Sequence, residues 1–242
     1  MNLIVDVGNT YVKFAVFNDA DLIYKLSFKL NAFKKQYKSL KKDFPKLKKA
    51  IISSVGHLTI EQIEVIKADL NVIELTSALK FPFKNAYQTP KTLGVDRIAL
   101  VCASVNQYSN KNVLIIDAGT CITYDFVTVE NHYLGGAISP GLRLRYLSLN
   151  NLTANLPLLE IKQPKKLIGD STESSIHSGV VYGVIKEIDG VIDQYQGDYS
   201  DLTVILTGGD SNFLSNQLKN TIFAKSNFLL DGLNFILEYN SK

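Results

Sequence analysis

The chain opens with the stretch NLIVDVGNTYVKFAV, residues 2–16, and this stretch indicates the fold. Apolar residues 3–5 predict a strand that delivers Asp6 to a glycine turn at residues 8–10, and alternating apolar residues at 12–16 predict the returning strand. Glycine lets the backbone approach an anion closely, while turn amides, a hydroxyl and a carboxylate can hold a phosphate and its cation. The hairpin therefore predicts a phosphate cradle, with an ordinary hairpin turn as the alternative.

The same design returns in the second half of the chain as VLIIDAGT, residues 113–120. Each copy has an apolar strand, an Asp, one small residue, a Gly and a hydroxyl, and each continues into further strands. An internal repeat of this length predicts two halves with one topology, whose acids lie at corresponding strand tips on the walls of one cleft. We place the boundary in the polar turn at 109–112, which predicts domains 1–110 and 111–242.

Strands and helices alternate along both halves, so we expect an α/β fold in which each domain has a mixed sheet, an antiparallel meander and flanking helices. A further glycine turn, residues 207–210, follows a strand and begins a helix, which is where α/β proteins hold nucleotides. The other predicted strands span 22–28, 50–55, 72–75, 132–138, 202–206 and 221–224, and the predicted helices span the lysine-rich segment, 59–70, 94–108, 141–151, 171–195 and 228–239.

Composition narrows the class of protein. No apolar run is long enough to span a membrane and no signal peptide opens the chain, so we expect a cytoplasmic protein without a membrane partner. The two cysteines, Cys102 and Cys121, have neither a CxxC spacing nor a histidine at ligand spacing, which predicts buried free thiols. The segment from residue 25 to residue 49 contains ten lysines and a single acidic residue, Asp43. We interpret them as a solvated face and do not expect nucleic acid as a partner.

The duplicated Asp-x-Gly pair and the third glycine turn resemble the actin, sugar-kinase and Hsp70 superfamily of ATP-using proteins. Within it, the chain resembles the type III pantothenate kinase family over nearly its whole length. That resemblance implies duplicated actin-like (ribonuclease H-like) domains with a cleft between them, and transfer of the ATP γ-phosphoryl to pantothenate, which makes 4'-phosphopantothenate in the first step of coenzyme A biosynthesis. The motifs that carry it are DVGNT at 6–10, NAY at 85–87, LGVDR at 93–97, DAGT at 117–120, GG at 135–136 with PG at 140–141, TANLP at 153–157 and TGG at 207–209.

The resemblance also implies roles for individual residues. Asp96 is the general base, for which helix N-capping is the alternative. Asp117 is the ligand of a monovalent cation, K⁺ or NH₄⁺, and Mg²⁺ accompanies ATP. Expected ATP contacts are Asp6, Val7, Gly8, Asn9, Thr10, Tyr11, Val12, Lys13 and Thr120. Expected pantothenate contacts are Tyr87, Gly94, Val95, Asp96, Arg97 and Thr172.

Some of these assignments have structural alternatives. Tyr87 fits a packed loop aromatic, and Thr172 fits a residue in the first turn of a helix. The helix that contains Thr172 is the expected contact of a homodimer. Two rival functions remain open from the sequence: a kinase for a different small-molecule acceptor on the same fold, and a non-enzymatic regulator of gene expression.

Overall fold

The computed structural model describes residues 1–8, 11–54 and 58–241. The predicted turn residues Asn9 and Thr10, and the glycine expected to close the fourth strand, Gly56, lie outside the described residues. By its contacts the chain forms two compact units. The first comprises Met1–Ser109 with the segment that begins at Asn227, and the second comprises Asn110–Ser226.

The regular elements follow each other in an order that matches the predicted alternation. The strands are β1 (Asn2–Val7), β2 (Val12–Asn18), β3 (Asp21–Phe28), β4 (Lys49–Ser54), β5 (Asn71–Glu74), β6 (Lys84–Asn85), β7 (Asn112–Ala118), β8 (Cys121–Val127), β9 (His132–Pro140), β10 (Leu202–Thr207) and β11 (Phe223–Ala224). The helices are α1 (Phe33–Asp43), α2 (Ile60–Lys67), α3 (Val95–Gln107), α4 (Leu142–Asn151), α5 (Thr172–Asp198), α6 (Ser211–Ser215) and α7 (Phe228–Tyr239). Short 3-10 helices span Leu30–Ala32 and Pro90–Thr92.

The two units share one sheet topology. In the first unit the strands lie in the order β3-β2-β1-β4-β5, and in the second the order β9-β8-β7-β10-β11 repeats it. In each, the first three strands along the chain form an antiparallel meander, and the two later strands add parallel to it. The predicted internal repeat and the α/β class are confirmed.

Side-chain alternation along β1 gives the first sheet two different faces. Leu3, Val5 and Val7 point into an apolar core that includes the inner sides of α1 and α2. Asn2 lies on the opposite face, where its side-chain amide donates hydrogen bonds of 2.8 Å to Asn234 and to Glu238 of α7. Asp6 therefore lies on the α7 face, at the end of β1.

Helices α3 and α7 pack closely together on that face. A Cβ atom on Gly232 of α7 would lie 2.0 Å from the backbone oxygen of Ala99 in α3, so only glycine fits this crossing. The contact holds α3 against the sheet and fixes the position of its N-terminus. In the second unit, α4 and α5 cover the sheet face formed by alternate residues of β7, β8 and β10.

Several local predictions differ from the structure. Helix α5 continues three residues beyond the predicted end at Tyr195, strand β11 is only two residues long, and β6 has no counterpart among the predicted strands. Cys102 is buried as expected, but Cys121 is exposed, so the prediction of burial is wrong for it. Cys121 is the first residue of β8, at the edge of the Gly119-Thr120 turn, where a short connection leaves little to cover it. Among the residues described, no helix combines the length and hydropathy needed to cross a membrane.

Candidate active site

The first hairpin brings Asp6 and Lys13 together. The two residues are register partners across β1 and β2, and Lys13 Nζ lies 3.2 Å from Asp6 Oδ2. At the tip, Gly8 donates its backbone N–H to Tyr11 O at 3.0 Å, which closes the turn and leaves the Tyr11 ring half exposed. Val7 and Val12 are buried and hold the two strands to the core. Of the predicted phosphate cradle, Asn9 and Thr10 lie outside the described residues.

Asp6 is nearly inaccessible to water, and this burial has the largest effect on the pKa of its carboxyl. Burial raises the pKa of its carboxyl, the Lys13 ammonium lowers it, and the nearby charge of Asp96 raises it again. The net pKa is raised, so a single lysine does not fully compensate the cost of burying this charge. A buried carboxylate whose charge is only partly compensated can take a divalent cation as an additional partner.

Magnesium suits this environment because it is commonly held by one or two carboxylates, waters and substrate phosphates, with no cage of protein ligands. Within the residues that the structure describes, no group of three or more His, Cys, Asp or Glu side chains could hold a metal ion. The single buried carboxylate of Asp6 fits a Mg²⁺ ion whose other ligands are waters and phosphate oxygens.

The N-terminus of α3 positions Asp96. Gly94 occupies the N-cap position and Asp96 lies in the first turn, so Asp96 is not the N-cap residue itself, but its carboxylate still binds an N–H of the first turn. The Asp96 carboxylate accepts a 2.8 Å hydrogen bond from the backbone N–H of Arg97. A Cβ atom on Gly94 would lie 2.5 Å from Asp96 Oδ1, so the absence of a side chain at residue 94 leaves room for the carboxylate.

Tyr87 and Arg97 also meet in the first unit. The Arg97 guanidinium carbon lies 5.5 Å from the centre of the Tyr87 ring, which is cation–π distance, and the arginine side chain is buried. Tyr87 is held in its loop by a 3.0 Å hydrogen bond from its backbone N–H to Asn85 Oδ1. The predicted substrate residues of this unit, Tyr87 and the Gly94–Arg97 segment, therefore form one cluster.

Asp117 occupies the corresponding position in the second unit. It is the penultimate residue of β7, and its register partners are Thr207 on β10 and Thr123 on β8. Gly208 follows with a φ of +94°, and a Cβ atom there would lie 2.4 Å from Asp117 Oδ1 and 2.3 Å from Ala118 O. Both the left-handed backbone and the close approach require glycine at residue 208.

The second glycine turn differs from the first in length. Two residues, Gly119 and Thr120, connect β7 to β8, whereas four residues connect β1 to β2. Thr120 is exposed, and its carbonyl accepts a 3.0 Å hydrogen bond from the N–H of Gly141. A Cβ atom on Gly141 would lie 2.1 Å from Gly119 O, so the start of α4 packs directly against this turn.

Thr172 is the first residue of α5 and is exposed. Ser171 caps the helix in a reciprocal capping box with Ser174. Thr172 is therefore a residue of the first helical turn, which agrees with the structural alternative to its predicted role as a substrate contact. The residue borders an open groove of about 910 Å³ in the second unit. The groove is lined by Arg145, Ser148, Leu149, Leu156, Gly169, Asp170, Ser171, Thr172, Ser175, Ile176, Gly179 and Val180.

A polar network between α5 and the residues packed against it is not predicted by the sequence. Glu187 of α5 accepts hydrogen bonds from the Tyr124 hydroxyl at 2.9 Å and from Ser139 Oγ at 2.5 Å, and it forms an ion pair with Arg145. Arg145 Nε also donates to Pro140 O at 2.9 Å. These residues come from β8, β9, α4 and α5, and no spacing along the chain indicates that they are in contact.

Comparison with known proteins identifies the family. The family model described as type III pantothenate kinase matches residues 2–194. A protein of Christiangramia forsetii named type III pantothenate kinase is 55% identical over 240 residues, which cover 99% of each chain. A protein of the same name from Flavobacterium johnsoniae is 49% identical over 99% of this chain and 98% of its own.

Solved structures support the fold independently. A protein from Campylobacter jejuni, described as a conserved putative Baf family transcriptional activator, aligns over 98% of both chains with a TM-score of 0.67 at 23% identity. A ROK family glucokinase from Streptomyces griseus aligns over 99% of this chain and 98% of its own, with a TM-score of 0.53 at 10% identity. At these identities the likeness concerns the actin-like sugar-kinase fold alone. The chain belongs to the type III pantothenate kinase family, whose members are enzymes that phosphorylate pantothenate in coenzyme A biosynthesis.

Proposed function

We propose that the cluster at the ends of β1, β2 and α3 performs the phosphoryl transfer, with Asp96 as the residue that accepts the proton of the pantothenate hydroxyl. The observation that carries this assignment is the position of the Asp96 carboxylate. The backbone N–H of Arg97 holds it from one side, and Gly94 leaves it the space it occupies. Phosphoryl transfer needs orientation of the attacking hydroxyl more than strong basicity, and a fixed carboxylate supplies that.

The first hairpin, Asp6 to Lys13, is the proposed phosphate cradle. The side chain of Lys13 is half exposed and its ammonium contacts Asp6, so the ammonium can turn toward phosphate oxygens without crossing the core. The buried Asp6 would orient Mg²⁺ relative to the phosphates. When bound, the cation neutralises negative charge that develops on the transferred group.

Arg97 and Tyr87 are the proposed contacts for pantothenate. The substrate carries a carboxylate, amides and hydroxyls, and an arginine held against an aromatic ring presents its donors in a fixed orientation. Gly94 and Val95 supply backbone at the same helix end, next to Asp96. We assign Thr172 to the same substrate through its hydroxyl.

Asp117 is the proposed ligand of the monovalent cation, K⁺ or NH₄⁺, and Thr120 a proposed contact of ATP. Asp117 is half-buried, and threonines occupy the register positions on both neighbouring strands. Oxygen donors of this kind suit a hard cation.

We also propose that the chain forms a homodimer through the groove beside α5. Three apolar residues that lie within a few positions of groove-lining residues along the chain, Leu152, Leu167 and Ile168, are between 71% and 83% exposed. Gly179 of α5 has open space in front of its Cα atom, so a second helix can approach closely there. Burying these side chains against a second copy would remove their apolar surface from water. Light scattering on the purified protein tests this proposal.

The reaction is expected in the cytoplasm, which supplies ATP. The exposed free thiol of Cys121 is consistent with a reducing compartment.

The function is tested with purified protein, ATP, Mg²⁺ and K⁺. We expect ADP release that depends on pantothenate, together with a phosphorylated product of matching mass. ADP release only with a different small-molecule acceptor would favour the rival kinase. No acceptor-dependent release, with the protein folded and binding ATP, would favour a non-enzymatic role.

A further inference from the structure

Ser53 has a buried hydroxyl that the predicted site does not use. The residue lies in β4 with no exposed surface, and its Oγ has no hydrogen-bonding partner among the described residues. A buried hydroxyl without a partner destabilises a fold, so such groups are rare and need an explanation. The sequence alone marks Ser53 only as part of a buried strand.

The register of the sheet places Ser53 beside the phosphate cradle. Asp6 is the partner of Ser53 across β1 and β4, and of Lys13 across β1 and β2. Paired residues of neighbouring strands point to the same face, so Lys13, Asp6 and Ser53 form one row across three strands. The row lies at the C-terminal ends of the parallel strands β1 and β4, the edge at which open α/β sheets bind ligands.

The second unit repeats this row. Asp117 has Thr123 as its partner on the antiparallel side and Thr207 on the parallel side. Thr207 thus corresponds to Ser53, and it too is buried. Each acid of the internal repeat has a buried hydroxyl residue at the same place on the parallel neighbour strand.

We propose that the Ser53 hydroxyl is a further binding group for the hydrated Mg²⁺–phosphate part of the bound nucleotide, next to Asp6. This inference rests on the proposed function of the first hairpin. A serine hydroxyl both donates and accepts, so it can pair with an oxygen of the phosphate or with a water of the cation. Ser53 has no exposed surface in the free protein, so this bond requires the groups that cover the hydroxyl to move when the nucleotide binds.

The test compares Ser53→Ala with Ser104→Ala. Ser104 is the matched control because it is also buried in the first unit and its Oγ also lacks a partner among the described residues. It lies eight residues after Asp96 in α3, which places it about 12 Å further along the helix axis. Neither substitution removes a charge.

Two measurements separate a ligand-binding role from a structural one. The first is the unfolding temperature of the free protein, which should stay equal or rise in both variants, because each loses an unpaired buried hydroxyl. The second is the dissociation constant for Mg²⁺ with a non-hydrolysable ATP analogue, measured by calorimetry. It should rise roughly tenfold in Ser53→Ala and stay unchanged in Ser104→Ala.

An unchanged dissociation constant in Ser53→Ala would overturn the inference. So would a lower unfolding temperature of free Ser53→Ala, because the hydroxyl would then have a partner within the fold. If the parent protein binds the nucleotide and phosphorylates pantothenate while Ser53→Ala binds equally well, only this inference fails. A parent protein without pantothenate-dependent turnover would instead contradict the proposed function.

Discussion

Lys13 reaches across the first hairpin to Asp6, with its Nζ 3.2 Å from Asp6 Oδ2. The carboxylate is almost completely buried, whereas the lysine side chain is half exposed. The pair therefore joins a charge that the fold isolates from water to a cation that can still move.

Lys13→Met should destabilise the free protein, because Asp6 then remains buried without its positive partner. We expect a loss of about 1–2 kcal/mol in the free energy of unfolding at neutral pH. The double variant Asp6→Asn with Lys13→Met should regain most of that stability, since a neutral amide needs no counter-ion. Denaturant titration of both variants and of Asp6→Asn alone checks this. Equal stability of the parent and Lys13→Met would show that Lys13 does not stabilise the buried Asp6 carboxylate.

Gly94→Ala should reduce turnover while leaving the fold intact. The added methyl group would meet Asp96 Oδ1 at 2.5 Å, so the carboxylate must rotate away from the backbone N–H of Arg97. A misplaced reacting group commonly costs about tenfold or more in rate, and we expect kcat to fall by at least that factor. Circular dichroism and the unfolding temperature should match the parent protein. Full turnover in the variant would mean that the observed carboxylate position is not the one used.

Gly208→Ala should impair the proposed cation site, and Gly209→Ala is its control. Residue 208 has a φ of +94° and no room beside Asp117, whereas a Cβ atom on Gly209 meets nothing within 4 Å. We expect Gly208→Ala to lower stability by about 1–3 kcal/mol and to require a higher K⁺ concentration for half-maximal activity. Gly209→Ala should resemble the parent in both measurements. Identical K⁺ dependence of parent and Gly208→Ala would remove Asp117 from the cation role.

Glu187→Gln should change how stability depends on pH. Burial raises the pKa of Glu187, but the hydrogen bonds from Ser139, Arg145 and Tyr124 outweigh this effect and hold the pKa below its ordinary value. A carboxyl whose pKa is lowered in the folded state stabilises the fold at pH values above its unfolded-state pKa. This stabilisation is lost as the pH falls through the folded-state pKa.

Between pH 6 and pH 3 the parent should therefore lose about 1 kcal/mol more stability than Glu187→Gln does. Glu160→Gln serves as the control, because Glu160 pairs with Arg143 on the surface and is largely exposed. Urea titrations across the pH series test this. Parallel pH curves for the parent and Glu187→Gln would contradict the network's role.

The sequence predicts the sheets well because their signals are local. Alternating apolar residues, the Asp-x-Gly turns and the strand-helix alternation indicate both meanders and their parallel extensions, and the repeated topology follows from them. The position of Asp96 in the first turn of α3 differs from a cap by two residues, because Gly94 takes the cap. Which of two residues this close in sequence is the N-cap depends on backbone geometry that composition does not specify.

Contacts between distant segments are what the sequence cannot supply. Ser53 meets Asp6 only through strand register, and no spacing along the chain encodes that pairing. The return of α7 to the first unit depends on the fit of Gly232 against Ala99, 133 residues earlier in the chain. An apolar helix pattern near the C-terminus is compatible with packing on either unit.

The proposed mechanism depends on the Asp96 carboxylate as the proton acceptor, and Asp96→Asn removes that capacity alone. The amide keeps the size of the side chain and an oxygen that accepts a hydrogen bond, but it cannot take up the hydroxyl proton. Pantothenate-dependent ADP release by the variant should fall by about 100-fold or more, while calorimetry finds ATP bound with parent-like affinity. Turnover within a few-fold of the parent, with ATP binding unchanged, would contradict the role of Asp96 as the base.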